Sequence, residues 1–370
     1  MVYAGCVQQK VNTQPSYIHT ESDFSGVITT NDSEDDFPIL FVLNGLYGYV
    51  DNNLQVIVPP IYDRAIHYTE QGYTMVRFQE RYGLWECRIL DREGKILWRE
   101  YTGYVYILCD DIISYIPQKS ERYIVVKFTD NTIIANGVAV DGTLEGGGVI
   151  LVNSGDGGYT FLDFSGRKIL PDLQLRMPSR GFQEGRAVIT DGNYDIRIID
   201  ISGNFYGNLD FYRTGRNFSE GLLPAETKDG RTGYVNKDGE FAFIVPILAE
   251  IQDYQLSPLF ATDFKDGYAL IQTDSSPSTW RIINKEGEYA SGELPIFFAD
   301  AFRCGLSCVK VNGAGYGFIN TRGEMVIDPV FYYADYFHRG YARIIYQGRD
   351  GLINTEGQIF WSDELVMEDF

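Results

Sequence analysis

The sequence predicts an all-β fold of tandem antiparallel hairpin or meander units, about nine in number. Three observations carry this. A short pattern of two apolar residues, Asp or Asn, two variable residues and then Gly recurs through the chain. A second pattern, Phe-x-x-Gly followed by alternating small and apolar residues, recurs in phase with the first. Composition agrees: 27 Tyr, 23 Phe and 39 Gly among 370 residues suit strands joined by tight turns.

The first pattern sets the hairpins. It begins with Tyr49-Val50-Asp51, which ends on Leu54 in place of glycine. It returns as Ile89-Leu90-Asp91 with Gly94, Phe161-Leu162-Asp163 with Gly166, and Ile198-Ile199-Asp200 with Gly203. The later copies are Tyr234-Val235-Asn236 with Gly239, Ile282-Ile283-Asn284 with Gly287, Phe318-Ile319-Asn320 with Gly323, and Leu352-Ile353-Asn354 with Gly357. Neighbouring copies fall roughly 34–48 residues apart, except for a double interval between Gly94 and Gly166. A degenerate unit fits that interval, with Tyr123-Ile124-Val125-Val126 and then Ile133-Ile134-Ala135-Asn136-Gly137. Asp or Asn at the first position of a type I turn caps it through the side chain, and glycine three residues on supplies positive φ. Asp51, Asp91, Asp163, Asp200, Asn236, Asn284, Asn320 and Asn354 are therefore read as turn-forming structural residues. Adjacent strand residues face opposite sides. Both residues before the Asp or Asn are apolar, so each middle strand is expected to bury both faces between neighbouring sheets.

The second pattern opens the strand that pairs with the middle one. It reads Phe182 to Gly185 with Ala187, Phe218 to Gly221 with Leu223, Phe264 to Gly267 with Ala269, Phe302 to Gly305 with Ser307, and Phe337 to Gly340 with Ala342. A shorter third strand is expected after the turn, such as Met325 to Ile327. Pro59, Pro171, Pro246, Pro295 and Pro329 are expected to end it, because proline cannot donate to a ladder. No helix of consequence is expected. Such units can close into a propeller-like toroid or stack as an open β-solenoid. Small residues after each Phe-x-x-Gly suggest close approach near an axis, whereas nine units and uneven spacing suit a solenoid. The toroid is preferred, with the solenoid as the alternative.

Residues 1–37 are polar and acidic, densest at Asn31-Asp32-Ser33-Glu34-Asp35-Asp36, and read as a disordered segment or tether. Residues 38–361 hold the repeat array, and residues 362–370 form a C-terminal tail. Tyr3-Ala4-Gly5-Cys6 resembles the end of a bacterial lipoprotein cleavage site, which makes Cys6 a candidate lipidation site and the cell envelope a candidate location. The basic and hydrophobic parts of a signal peptide are absent, so a cytoplasmic protein is the other reading. No apolar run of about 18 residues is present, so no membrane span is expected. Cys87, Cys109, Cys304 and Cys308 are read as reduced thiols. On one strand Cys304 and Cys308 would lie on the order of 13 Å apart, too far for a disulfide.

A net charge of −20 repels phosphate backbones and argues against nucleic-acid binding. His19, His67 and His338 are the only histidines, without HExxH or paired Cys/His spacing, so they read as structural or surface residues rather than zinc ligands. Gly313-Ala314-Gly315-Tyr316-Gly317 lies between two strands and reads as a hairpin turn rather than a dinucleotide loop. Gly146-Gly147-Gly148 lacks the Lys-Ser/Thr of a phosphate cradle. Asn153-Ser154-Gly155-Asp156-Gly157-Gly158 lacks the order of a calcium loop. No catalytic residue, metal or cofactor is assigned. Trp85 follows the irregular stretch Arg81 to Leu84 and is the candidate ligand-contact aromatic, while Trp280 takes a core position in its unit.

Two stretches carry a family resemblance. The first is Tyr47-Gly48-Tyr49-Val50-Asp51 with Val56-Ile57-Val58-Pro59-Pro60-Ile61-Tyr62-Asp63-Arg64-Ala65. The second is Tyr316-Gly317-Phe318-Ile319-Asn320 with Val326-Ile327-Asp328-Pro329 and Tyr333-Ala334. They resemble the WG-repeat family, whose units carry a Trp-Gly or Tyr-Gly pair, an aromatic-Ile-Asp turn and a Phe-x-x-Gly-x-Ala-x-Val strand. The resemblance covers roughly residues 38–361. It departs where the Trp-Gly pair is absent in that form, and where Arg88, Arg197 and Arg281 replace the glycine. The resemblance implies a bacterial surface or interaction protein and brings no catalytic residues. The function expected is a non-catalytic binding or scaffold protein for a protein or peptide partner. A cell-envelope glycan-binding protein and a hydrolase with an Asp/Glu pair in a propeller funnel are the alternatives.

Overall fold

Each Asp or Asn turn folds two strands back on one another, and the apolar pair before it decides what lies on either side of the sheet. The computed structural model describes residues 37–366, except 80–84, 103–104, 110, 118–119, 121–122, 139–148, 154–157, 172, 174, 178–180, 216, 246–260 and 276–277. The described residues are almost wholly antiparallel strands. They form nine successive sheet units. Unit 1 comprises Ile39–Leu43, Leu46–Val50 and Val56–Tyr62. Unit 2 comprises Arg64–Ala65, Thr74–Gln79, Trp85–Leu90 and Ile96–Tyr101. Unit 3 runs from Val105–Cys109 to Ile133–Val138. Units 4 to 6 merge into one ten-stranded sheet between Val149–Asn153 and Phe241–Ile244. Unit 7 is built on Tyr268–Ser275 and Ser278–Asn284. Unit 8 comprises Phe298–Ala299, Leu306–Lys310, Tyr316–Asn320 and Met325–Phe331. Unit 9 comprises Tyr333–Ala334, Tyr341–Tyr346, Arg349–Asn354 and Ile359–Trp361.

A full unit thus has four strands rather than the three expected, and the difference lies at the prolines. Pro59 sits inside Val56–Tyr62 and Pro329 inside Met325–Phe331, where they were expected to end the strand. The ladder shifts register beside both, between Tyr47 and Tyr49 and between Tyr316 and Phe318. A bulge tolerates a residue with no N–H to donate. Past the bulge the chain enters the next unit almost at once, as Val56–Tyr62 leads to Arg64–Ala65. In the ten-stranded sheet a single strand, Phe205–Thr214, does both jobs. Its Phe205 pairs with Ile199 and its Thr214 with Ala225. Pro171 does follow its strand, Lys168–Ile169, and Pro246 lies outside the described residues. Cys304 also departs from expectation: it occupies a turn at φ 54°, while Cys308 lies on Leu306–Lys310, so the two do not share a strand.

Burial follows the apolar pair. Phe318 packs between units 8 and 9, and the next residue, Ile319, between units 7 and 8. The same division holds for Tyr49 and Val50, Ile89 and Leu90, and Ile198 and Ile199. Where the first residue is tyrosine, its buried hydroxyl finds an acceptor beyond its own unit. Tyr49 donates to the Ile66 carbonyl at 2.7 Å and Tyr234 to the Thr262 carbonyl at 2.9 Å. Full burial of each such side chain contributes about 1.5–3 kcal/mol before entropy is counted.

The units close into a toroid. Every hydrophobic cluster joins two successive units, and the last joins unit 9 back to unit 1. There Leu352 packs with Ile39, Phe41 and Val50, flanked by Tyr341, Phe360, Leu365 and Val366. An open solenoid would leave the outer face of unit 1 in water, yet Phe41 and Val50 are fully buried. Among the described residues the closure does not use a shared strand. A single-turn helix, α1 (Ser362–Leu365), follows the last strand of unit 9 and packs against Ile39–Leu43. Cys6 and the acidic N-terminal segment lie outside the described residues.

Candidate functional site

Two families of turns hold the polar side chains of the array. The eight residues of the Asp/Asn pattern occupy the first family. Asp51 Oδ1 accepts the Asn53 and Gln55 N–H groups at 2.9 and 2.8 Å, and Asn320 Oδ1 accepts those of Arg322 and Glu324, each at 3.0 Å. Asp91, Asp163, Asp200, Asn236, Asn284 and Asn354 receive equivalent bonds. At Asp163 and Asp200 hydrogen bonds in the turn lower the carboxyl pKa. A bond from the Ser165 side chain, reinforced by backbone N–H groups, holds Asp163 at about 2. Asn204 does the same for Asp200. The turn bonds at Oδ1 account for these side chains without a ligand.

The Phe-x-x-Gly turns form the second family. In each, the residue before glycine and the glycine itself both have positive φ, as at Glu184 (51°) and Gly185 (81°). The mutual bonds of Gln183 and Arg186 close a two-residue hairpin turn of the primed type. This geometry aims the residue before glycine at the next unit. Glu184 accepts the N–H groups of Glu220 and Gly221 at 2.7 and 2.8 Å, Glu220 accepts that of Gly267 at 3.1 Å, and Asp266 accepts that of Gly305 at 2.7 Å. Lys237 and Lys285 pair with Glu184 and Glu220 at 3.1 and 2.8 Å. Burial opposes ionisation of Glu184, but Lys237 and the Gly221 and Glu220 N–H groups together hold its carboxyl below the usual range.

The chain of carboxylates ends at unit 8. The corresponding residues there and in unit 9 are Cys304 and Arg339, preceded by Arg303 and His338. From this point the turns are basic and aromatic. Arg303 stacks on Tyr336 at 4.2 Å, and His338 lies 4.2 Å from His67 of unit 2, which also meets Tyr336 at 5.9 Å. Unit 1 contributes no Phe-x-x-Gly turn. Phe37 stands there instead, with Arg92 at 3.5 Å and Arg339 at 3.7 Å from its ring centre. Those distances put the two guanidinium carbons within about 7 Å of each other. Like charges at that range repel by about 2 kcal/mol at an effective dielectric of about 20. Burial, with Arg303 and Arg339, lowers the His67 pKa against the pull of Asp335. Burial, His67 and the same two arginines bring His338 to about 3, so both imidazoles are neutral near pH 7. The Nε atom of Arg303 and Nε2 of His338 are buried without a hydrogen-bond partner.

Chemical reactivity here is damped. Burial pushes the Cys308 thiol well up, with Asp300 and Asp335 adding to it. Burial also raises Asp300, whose Oδ1 accepts the N–H of Ala301 at 2.8 Å. Among the described residues no group of three or more His, Cys, Asp or Glu is arranged to hold a metal ion.

Sequence reasoning placed the candidate contact aromatic at Trp85. It is half-buried at the start of Trp85–Leu90, beneath the Arg77 guanidinium at 4.0 Å. The histidines, read one by one as structural or surface residues, come together from units 2 and 9. Arg92, Arg303, Arg339 and Phe37 were missed. A usable signal existed for Arg339. The position before glycine reads Glu184, Glu220, Asp266, Cys304, Arg339, a run from acid to base along equivalent turns.

Family comparison bears on the units themselves. The model described as WG containing repeat matches residues 47–82 and 316–348. Those two stretches are WG repeats. In both WG repeats the glycine of the Tyr-Gly pair lies against the bulged strand. A Cβ on Gly48 would meet the Val58 carbonyl oxygen at 2.6 Å, and one on Gly317 the Ile327 carbonyl oxygen at 2.6 Å. Where Arg88 replaces that glycine, it pairs with Arg99 in an unshifted stretch of ladder. No curated protein matches the chain. Among solved structures, BamB from Moraxella catarrhalis is similar at 13% identity and TM-score 0.43, over 80% of this chain and 95% of that one. Sqt1 from Saccharomyces cerevisiae is similar at 7% identity and TM-score 0.44, over 80% and 94%.

Proposed function

We propose that the protein is a non-catalytic binding scaffold whose rigid toroid presents turns to a protein or peptide partner. The observation that carries this is the use made of the polar groups. The turn carboxylates are bonded to backbone N–H groups, and the buried thiol and imidazoles are held neutral. Such a frame suits recognition through loops held by a stiff support. A random-peptide display library panned against the full chain tests it. Peptides should be enriched that bind saturably and lose binding when Phe-x-x-Gly turn residues are changed. No enrichment, or turnover of glycoside substrates that disappears in Asp300→Asn, would overturn it.

A cell-envelope glycan is a second reading, favoured by one feature. Phe297, Phe298 and Tyr332 are large aromatics exposed at neighbouring strand starts of units 8 and 9. Aromatic faces of this kind stack on sugar rings. Oligosaccharide binding that is lost in Tyr332→Ala would favour it over the peptide.

A further inference from the structure

We infer that the seam between units 8, 9 and 2 is a carboxylate-binding site, built from Arg303, Arg92 and His338 and made to take an acidic side chain or chain terminus of the partner. This deepens the scaffold proposal and rests on it. Three features point the same way. First, the guanidiniums of Arg92 and Arg303 each face an aromatic ring, Phe37 and Tyr336, and neither is in an ion pair with a described carboxylate. A ring face leaves the in-plane N–H fork of the guanidinium open, and that fork fits a carboxylate in two parallel bonds. Second, Arg303 Nε and His338 Nε2 are buried polar atoms with no hydrogen-bond partner. Buried groups of this kind are rare, and a missing ligand or water is a standard explanation. Third, the cluster is basic on a chain of net charge −20. Equivalent turns in units 5 to 7 place Glu184, Glu220 and Asp266 before glycine, where units 8 and 9 have Cys304 and Arg339, so the turns beside Arg303 and His338 lack the acid that the repeat places there in units 5 to 7.

The choice of a carboxylate over a phosphate follows from charge. Asp300 and Asp335 act electrostatically on this cluster, as the interactions of Asp300 with Arg303 and of Asp335 with His67 record. They temper the field of the arginines, which suits one negative charge better than two. The rest of the acidic surface disfavours non-specific anion binding, so occupancy should be confined to this seam.

The test uses the full chain and a labelled peptide of about six glutamates, followed by fluorescence anisotropy, with acetate and inorganic phosphate as competitors. Saturable binding is expected, weakening with added salt. It should fall at least about tenfold in Arg303→Ala and in Arg92→Gln, the scale of one lost charge-assisted hydrogen bond. Arg322→Ala should bind as the parent does, since Arg322 pairs with Glu324 on an exposed turn. Thermal unfolding of each variant separates lost binding from lost folding. Binding that survives both arginine changes in folded protein overturns the inference, as does no binding of the peptide, or competition by phosphate alone. Library peptides that bind without acidic enrichment and ignore Arg303→Ala would sink the carboxylate site while leaving the scaffold proposal intact.

Discussion

Replacing Gly317 with alanine probes the bulge that turns a hairpin into a four-stranded unit. The added Cβ would lie 2.6 Å from the Ile327 carbonyl oxygen and 2.8 Å from the backbone nitrogen of Pro329. All of the close atoms are backbone, and Pro329 is held by its ring, so no side chain can swing away. The strand Met325–Phe331 must shift instead, and it carries Ile327 and Phe331 into the cluster between units 8 and 9. Forcing extra volume into a packed site costs about 1–3 kcal/mol. Gly292 is the control: nothing lies within 4 Å of its Cβ position and its φ is not in the left-handed region. Gly292→Ala should change stability by less than about 0.5 kcal/mol. Urea unfolding of the full chain, followed by tryptophan fluorescence and by circular dichroism, supplies the comparison. If Gly317→Ala unfolds at the same urea concentration as Gly292→Ala, close approach is not what the WG glycine is for.

Other perturbations have outcomes fixed by the same contacts. Asn320→Ala removes an acceptor shared by two backbone N–H groups and should cost about 1–2 kcal/mol, whereas Asn320→Asp should be nearly neutral, both by urea titration. Leu352→Ala at the closing interface should cost about 2–5 kcal/mol and speed hydrogen exchange in Ile39–Leu43, and slow exchange there would contradict closure. His338 has a folded pKa of about 3, below its unfolded value near 6.5, so the unfolded chain binds the extra proton. Its contribution is fully present above about pH 6.5 and is lost as pH falls toward 3, with a slope of at most about 1.4 kcal/mol per pH unit. His338→Gln should flatten the stability profile between pH 6.5 and 4.5, above the range of ordinary carboxylates, as read by denaturant titration at each pH.

What was legible in the sequence was local. Two apolar residues before an Asp or Asn declare a strand buried on both sides, and Phe318 and Ile319 go to opposite interfaces as their adjacency requires. What was illegible depended on partners far along the chain. Phe298–Ala299 is too short to show a period, and becomes a strand only because Lys310 and Val309 receive it. Pro329 was misjudged because its missing N–H was weighed without the register shift that excuses it. His67 and His338 have no local signal of each other, since only closure of the toroid brings unit 2 near unit 9. Arg303 and Arg339 were concealed in turns whose glycine and phenylalanine already had an explanation.

The junction of units 9 and 1 differs from its neighbours in what must break to part it. Among the described residues no strand crosses there, and contact rests on side chains around Leu352 and on α1. It is the one place where the circle could spring apart with every hairpin ladder intact. His67 and His338 reach over that gap like the two halves of a clasp. Any molecule gripping both would fasten it, adding about 2.7 kcal/mol against opening at a hundredfold excess over its Kd.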